Sequence, residues 1–287
     1  MNILEARKNQ GQVNHITGDV HYIALGLDPG KTILTIHDAA LLDRLTGFSR
    51  TIYTLFWFSW PLRRVARVTV VSEATKKYLS TKLGLSEDVF YVIPDCIDPS
   101  FTFSEKVFPK STPRVLQVGV ARNKNIERVA EALKSVDCEL RIIGRLSEAQ
   151  RRILKRFGIR YTAVSGLSIE ELVAEYRNCD LLVFASTFEG FGMPIVEAQA
   201  IGRPVVTSNC SSMPEVAGNG ACFVDPYDAI SIRKGIIKVF GDEGYRKHLI
   251  EEGCKNASKY SSRRIANLYA SLYREVLGSS PKTVHQR

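Results

Sequence analysis

Residues 115–136 read VLQVGVARNKNIERVAEALKSV. The opening VLQVGV (115–120) is a nearly continuous apolar run, the pattern of a strand covered on both faces. The NKNIERVAEALKSV that follows sets Ile126, Val129, Ala130, Leu133 and Val136 at helical spacing. The same alternation then continues, with ELRIIG, DLLVFAS, RPVVTSN and ACFVDP reading as further buried strands separated by helix candidates. Two of those helices carry a capping box at their start, Ser147 with Gln150 and Ser168 with Glu171. Such alternation predicts a parallel, doubly wound α/β sheet whose ligands sit at the carboxyl ends of its strands.

Upstream, VNHITGD, KTILTIHD, RVTVVSE and VFYVIPD repeat the strand signal more loosely. The Pro- and Ser-containing FTFSEKVFPKSTP (101–113) reads as a linker. The expected organisation is an N-terminal lobe over 1–107, a C-terminal lobe over 108–260, and a helix and tail over 261–287 able to pack back on the N-terminal lobe.

Composition narrows the class of protein. With 45% apolar and 24% charged residues over 287 positions, disorder, collagen and low-complexity chains are excluded. Thirty-nine Lys and Arg against 30 Asp and Glu give +9, a surplus that suits nucleic acid, an anionic membrane surface or phosphorylated ligands. The six cysteines are scattered singly, which argues against a zinc site or a disulfide framework and predicts a reducing, cytoplasmic setting. The polar MNILEARKNQGQVNH start and the lack of any run of 18 apolar residues predict neither secretion nor a membrane span.

GLDPGKT (26–32) resembles a phosphate loop, but it is one residue short between its glycines and leads into a strand rather than a helix, so it reads as a surface turn. The chemistry concentrates in STFEGFGMPIVEAQAIGRPVVTSNCSSMPEVAG (186–218). Glu189 precedes a Gly-Phe-Gly turn, and Glu197 falls inside a helix expected to start at Pro194. Gly190 and Gly192 let backbone approach a ligand, and the helix start offers amides to an anion. A phosphate with a hydroxylated group beside it fits this arrangement; a tight strand-to-helix connection with two solvated glutamates is the plainer alternative.

The stretch resembles the E-x7-E signature of the retaining, nucleotide-sugar-dependent glycosyltransferases of family 4, which have the two-lobed GT-B fold. Both acids, the Gly-Phe-Gly turn, the proline, and the downstream Gly-Arg-Pro-Val-Val and Pro-Glu-Val stand in register. Thr35-Ile36-His37-Asp38, Val71-Ser72-Glu73, Val92-Ile93-Pro94 and Val118-Gly119 followed by Asn123-Lys124-Asn125 extend the likeness over most of the chain. The resemblance implies two Rossmann-like lobes and transfer of a hexose, mannose among them, from a nucleoside diphosphate sugar to a saccharide or lipid-linked acceptor in bacterial surface polysaccharide assembly. It implies that Glu197 binds the ribose hydroxyls and Glu189 lies beside the sugar as a positioning group or, in principle, a nucleophile. Amides at Gly190, Phe191, Gly192 and Met193 would contact the diphosphate or sugar, Lys124 and Arg122 the phosphates, and His37 the sugar, with Asp38 as a possible helix cap. Glu189 and His37 are thus the candidate catalytic residues. With no D-x-D triplet and no His or carboxylate cluster at ligand spacing, no metal or other cofactor is expected.

RTIYTLFWFSWPLRRVAR (50–67) combines Trp57, Phe58 and Trp60 with Arg50, Arg63, Arg64 and Arg67. Aromatics with arginines suit a peripheral contact with anionic lipid at the inner membrane face; a core helix with one basic face is the alternative, and no recognition motif supports nucleic acid. Two departures stand out. The segment before the linker is short for a GT-B lobe, so the resemblance implies an N-terminal lobe lacking its opening strand-helix units and an incomplete acceptor site. Asp95-Cys96 stands where the family commonly has Asn-Gly. Competing readings are a nucleotide-sugar epimerase of the same fold, which needs further acid and base groups, and a non-catalytic donor-binding subunit.

Overall fold

The computed structural model describes residues 3–39, 41–109 and 111–278; the tail 279–287 of the expected C-terminal segment lies outside the described residues. Two compact units emerge, one running to Asp95 and taking in the chain from Arg263, the other Cys96–Ser262. Each is built on its own parallel sheet, as the α/β alternation requires.

The first unit contains β1 (Asn14–Ile16), β2 (Thr32–Ile36), β3 (Arg67–Val70) and β4 (Phe90–Val92), hydrogen-bonded in that order. The TILTI run forms β2 and is buried at every position, which means both faces are covered. Its alternation divides the work: Leu34 and Ile36 pack with Val68, Val70, Phe58, Leu62 and Leu79, whereas Ile33 packs with Ile265, Leu272 and Val276. Those last three belong to the helix Ser262–Gly278, whose stripe at 265, 269, 272, 273 and 276 has helical period and covers the second sheet face. The GLDPGKT segment is a short 3-10 turn, Pro29–Lys31, capped by the Asp28 carboxylate on the Gly30 amide.

The second unit contains β5 (Arg114–Val118), β6 (Glu139–Ile143), β7 (Tyr161–Val164), β8 (Leu181–Phe184), β9 (Val205–Ser208) and β10 (Cys222–Val224), in spatial order β10-β9-β8-β5-β6-β7. Numbered within the unit this is the doubly wound 3-2-1-4-5-6 arrangement, with its reversal between β5 and β8. Val115, Leu140, Ile142, Leu181, Val183 and Val206 of the sheet pack with Val129, Leu133, Leu154, Ile232 and Ile236 of the flanking helices. Both expected capping boxes are formed, at Ser147 with Gln150 and Ser168 with Glu171.

Four local expectations are corrected. β7 is an additional edge strand; its YTAV is half-exposed and carries no apolar run to mark it. The helix after β5 spans Ile126–Leu133, so Val136 lies beyond its end and Lys124 precedes it in the 3-10 turn Arg122–Lys124. The helix bearing Glu197 starts at Met193, with Pro194 second. The units divide after Asp95 rather than at 107, because the segment read as a linker is fastened to the second unit. Phe101 is buried edge-on against Tyr176, and the Ser104 amide donates to Ile201 O at 3.1 Å. The buried Arg203 guanidinium donates to the carbonyls of Ser104, Tyr176 and Arg177 at 2.7, 3.2 and 2.8 Å.

A polar network joins the C-terminal helix to the first sheet. His15 Nδ1 lies 2.7 Å from Tyr273 Oη and its Nε2 2.7 Å from Thr35 Oγ1, which also contacts Thr69 and Tyr269. A neutral imidazole satisfies both hydroxyls, donating from one nitrogen and accepting at the other. Burial, with the charge of His37 in second place, pushes the His15 pKa down to about 4. The unfolded chain therefore holds this proton more tightly than the folded one. The stabilisation from neutral His15 is complete above its unfolded value of about 6.5 and is lost as pH falls towards 4. His15→Gln should flatten the fall of unfolding free energy between pH 6.5 and 4, which His15 steepens by up to about 1.4 kcal/mol per pH unit. Urea titrations at several pH values check this; identical slopes in both proteins would contradict it.

Candidate functional site

At the reversal between β5 and β8 the neighbouring strands run on into helices on opposite faces of the sheet, leaving a crevice at their carboxyl ends. The chain after β5 supplies Asn123, Lys124 and Asn125, and the chain after β8 supplies residues 185–192. The two segments are joined directly: the Thr187 amide donates to Asn123 O at 2.8 Å, and Asn123 Nδ2 donates to Phe188 O at 2.9 Å. Asn125, in the left-handed region at φ 60°, donates its buried amide to Ala185 O and Pro226 O.

Lys124 and Glu189 meet across this junction. Lys124 Nζ donates to Glu189 Oε1 at 2.6 Å, and Asn123 Nδ2 reaches the same oxygen at 3.1 Å. The ammonium also lies 4.6 Å from the centre of the buried Phe184 ring, a cation–π arrangement that holds it without neutralising it. Its alkyl stem crosses Gly119, where φ is 86° and an added Cβ would sit 2.9 Å from Lys124 Cε. Glycine there serves both the backbone turn and the passage of the lysine. Gln117 of β5 fixes the turn from beneath by donating to Lys124 O at 3.0 Å.

The Gly-Phe-Gly turn is fastened from another side. Ser211 Oγ donates to Glu189 O at 2.8 Å, and Ser212 Oγ donates to Phe191 O at 2.6 Å. Phe191 is buried edge-on against Tyr260, so its side chain anchors the turn while its backbone remains at the helix start. Gly192, at φ 111°, caps the helix Met193–Ile201, whose first amides have no carbonyl within the helix. Gly190 is buried and Met193 half-buried. On the second turn of that helix Glu197 accepts from Tyr176 Oη at 2.5 Å. Burial raises the Glu197 pKa; the Tyr176 hydroxyl and the Lys124 charge pull it down against that. Among the described residues no group of three or more His, Cys, Asp or Glu is arranged to hold a metal.

The second unit thus gathers Lys124, Glu189, the 190–193 turn and Glu197, with Arg122 exposed on the same 3-10 turn as Lys124. Asn123, Tyr176, Ser211 and Ser212 were not singled out from sequence. Asn123 stood inside a quoted motif; Tyr176 is 21 residues from the group it holds and carries no spacing signal.

His37 belongs to the first unit, directly after β2. Its Nε2 lies 2.9 Å from Thr17 O and its Nδ1 3.2 Å from Asp95 Oδ1. A carbonyl and a carboxylate both accept, so both ring nitrogens carry hydrogen and the imidazolium is favoured. The Asp95 hydrogen bond raises the His37 pKa, against the opposing effect of burial. Asp95→Asn should lower it by removing the carboxylate charge. A two-dimensional NMR titration of the histidine ring measures this, and an unchanged value would contradict the pairing.

Comparison with known proteins agrees with this geometry. The family model described as "Glycosyl transferases group 1" matches residues 100–256, and that described as "Glycosyltransferase Family 4" matches residues 13–101. The serotype-specific mannosyltransferase WbdA of Escherichia coli is 34% identical over 117 residues, 41% of this chain and 14% of that protein. The O-antigen chain mannosyltransferase RfbU of Salmonella typhimurium is 26% identical over 211 residues, 71% of this chain and 59% of that protein. The chain therefore spans less than two thirds of either relative. Anabaena Alr3699/HepE in complex with UDP and glucose superposes with a TM-score of 0.80 at 15% identity, covering 95% of this chain and 80% of that one. WaaG, a glycosyltransferase involved in lipopolysaccharide biosynthesis, gives 0.68 at 16%, covering 93% and 77%. At those identities the two structures establish a shared fold, and with the model match over residues 100–256 the chain belongs to the glycosyl transferases group 1 family.

Proposed function

We propose that this chain acts as a retaining glycosyltransferase, moving a hexosyl group from a nucleoside diphosphate sugar to a saccharide or lipid-linked acceptor at the cytoplasmic membrane face, in surface polysaccharide assembly. The observation that carries the reading is the Lys124–Glu189 contact at the strand reversal, with Glu197 eight residues after Glu189 on the adjoining helix. The mannosyltransferase names of WbdA and RfbU, and the UDP and glucose bound by HepE, support the substrate class.

In this reading Glu197 accepts both ribose hydroxyls, and its Tyr176 hydrogen bond sets the carboxylate's orientation beforehand. Lys124 and the amides of the 190–193 turn receive the diphosphate, with Arg122 able to swing in from its exposed position. Their positive charge acts where negative charge grows as the sugar–phosphate bond breaks. The acceptor oxygen bonds to the anomeric carbon on the face the diphosphate leaves, and its proton passes to the departing phosphate. Glu189, already engaged by Lys124 and Asn123, positions the sugar rather than attacking it. Lys124, Arg122 and the amides do the charge compensation, so no metal is required.

Glu197→Ala should weaken nucleoside diphosphate binding by about 1.5 to 3 kcal/mol, the range for a hydrogen bond to a charged group. Calorimetric titration of UDP and GDP, each with and without EDTA, measures this. Unchanged affinity in a folded variant would remove Glu197 from the ribose site, and loss of wild-type binding on adding EDTA would show that a metal takes part.

A further inference from the structure

The helical segment Gly47–Leu62 places its aromatic residues differently from the expectation drawn from Trp57, Phe58 and Trp60 as a group. Phe58 is fully buried in the first unit's core. Trp57 stacks on Tyr53 at 5.3 Å, and its Nε1 donates to Asp19 at 2.6 Å. The outer face carries a different set: Phe48, Ile52, Phe56 and Trp60, which are 80%, 41%, 38% and 38% exposed. These residues recur every four positions. In an α-helix a four-residue step overshoots one turn, so such a row drifts round the axis. Here the wider π turn Leu55–Ser59 takes back part of that drift and keeps the four on one side. Phe56 and Trp60 consequently touch edge to face, with ring centres 4.6 Å apart.

Within the chain from Arg44 to Ala66 every charged residue is an arginine, Arg44, Arg50, Arg63 and Arg64. The acids beside it are engaged, Asp43 with Lys82 and Asp19 with the Trp57 indole. All four arginines are exposed. Arg63 and Arg64 follow the end of the helical segment at Leu62 directly, in the turn that leads to β3. No described helix is long and apolar enough to cross a membrane. An apolar row flanked by arginines fits a surface whose headgroups are anionic and whose interior is hydrocarbon: rings and aliphatic groups enter to shallow depth while guanidinium groups meet phosphates.

We propose that Phe48, Ile52, Phe56 and Trp60, flanked by Arg63 and Arg64, form a docking face for an anionic phospholipid bilayer. This deepens the reading of a lipid-linked acceptor by naming the surface that meets the membrane, and its test is separate from that of donor binding.

The experiment is sedimentation of the whole chain with vesicles of phosphatidylcholine alone and with phosphatidylglycerol added. Binding should require phosphatidylglycerol and weaken with added salt. The Phe48→Ser/Phe56→Ser double variant, altered only at exposed positions, should lose about tenfold or more in partitioning. Arg63→Gln/Arg64→Gln should lose the dependence on anionic lipid. Both variants should keep the wild-type thermal midpoint and nucleoside diphosphate affinity, which separates a failed membrane face from a failed donor site. Equal partitioning of the double variant and the wild type would overturn the proposal, as would no binding to anionic vesicles. Concentration-dependent self-association that the double variant abolishes, without vesicle binding, would assign the face to a second copy and overturn it too.

Discussion

Between β5 and β8 the direction of winding of the second sheet reverses, and two adjacent strands deliver their following segments to opposite sides of one crevice. A lysine after one strand and a glutamate after its neighbour are 65 residues apart in sequence yet 2.6 Å apart in space. The contact needs no long lever arms, because the strands themselves are hydrogen-bonded neighbours. Gly119 lets the lysine stem cross the backbone, and Gly192 turns the chain into the helix that carries Glu197. A change in strand order here would separate every group in the candidate site.

What keeps those groups in place is a layer of neutral hydrogen bonds with their ends satisfied. Asn123 and Asn125 tie the post-β5 turn to the post-β8 loop, Ser211 and Ser212 fix the Gly-Phe-Gly turn, and Tyr176 holds Glu197. Neutral donors orient a carboxylate without placing a formal counter-charge beside it. Elsewhere the same economy serves structure: Arg203 spends its guanidinium on carbonyls and binds the 101–104 segment to the second unit.

The features legible in the sequence are those encoded locally. A capping box occupies four consecutive residues, and a buried parallel strand declares itself as an apolar run, so both capping boxes and nine of the ten strands among the described residues stand where the sequence points. Lys124, Glu189 and Glu197 were readable because the turns that present them have fixed spacing. The remainder depends on contacts across the fold. YTAV is an edge strand only because β6 lies beside it. Which face of the 47–62 helix is inner depends on the packing of Phe58 and Trp57, not on their identity as aromatics. Asp95 looked like an unexplained departure in the sequence, and becomes intelligible once His37 is seen 3.2 Å away.

The central claim is that the strand reversal of the second unit is a nucleoside diphosphate site. A crystal structure of the chain with UDP or GDP bound tests it most directly. The account predicts the diphosphate within hydrogen-bonding reach of Lys124 Nζ and the amides at the start of the helix Met193–Ile201, with the ribose hydroxyls on Glu197. A nucleotide bound elsewhere, with Lys124 still paired to Glu189 and Glu197 untouched, would contradict it.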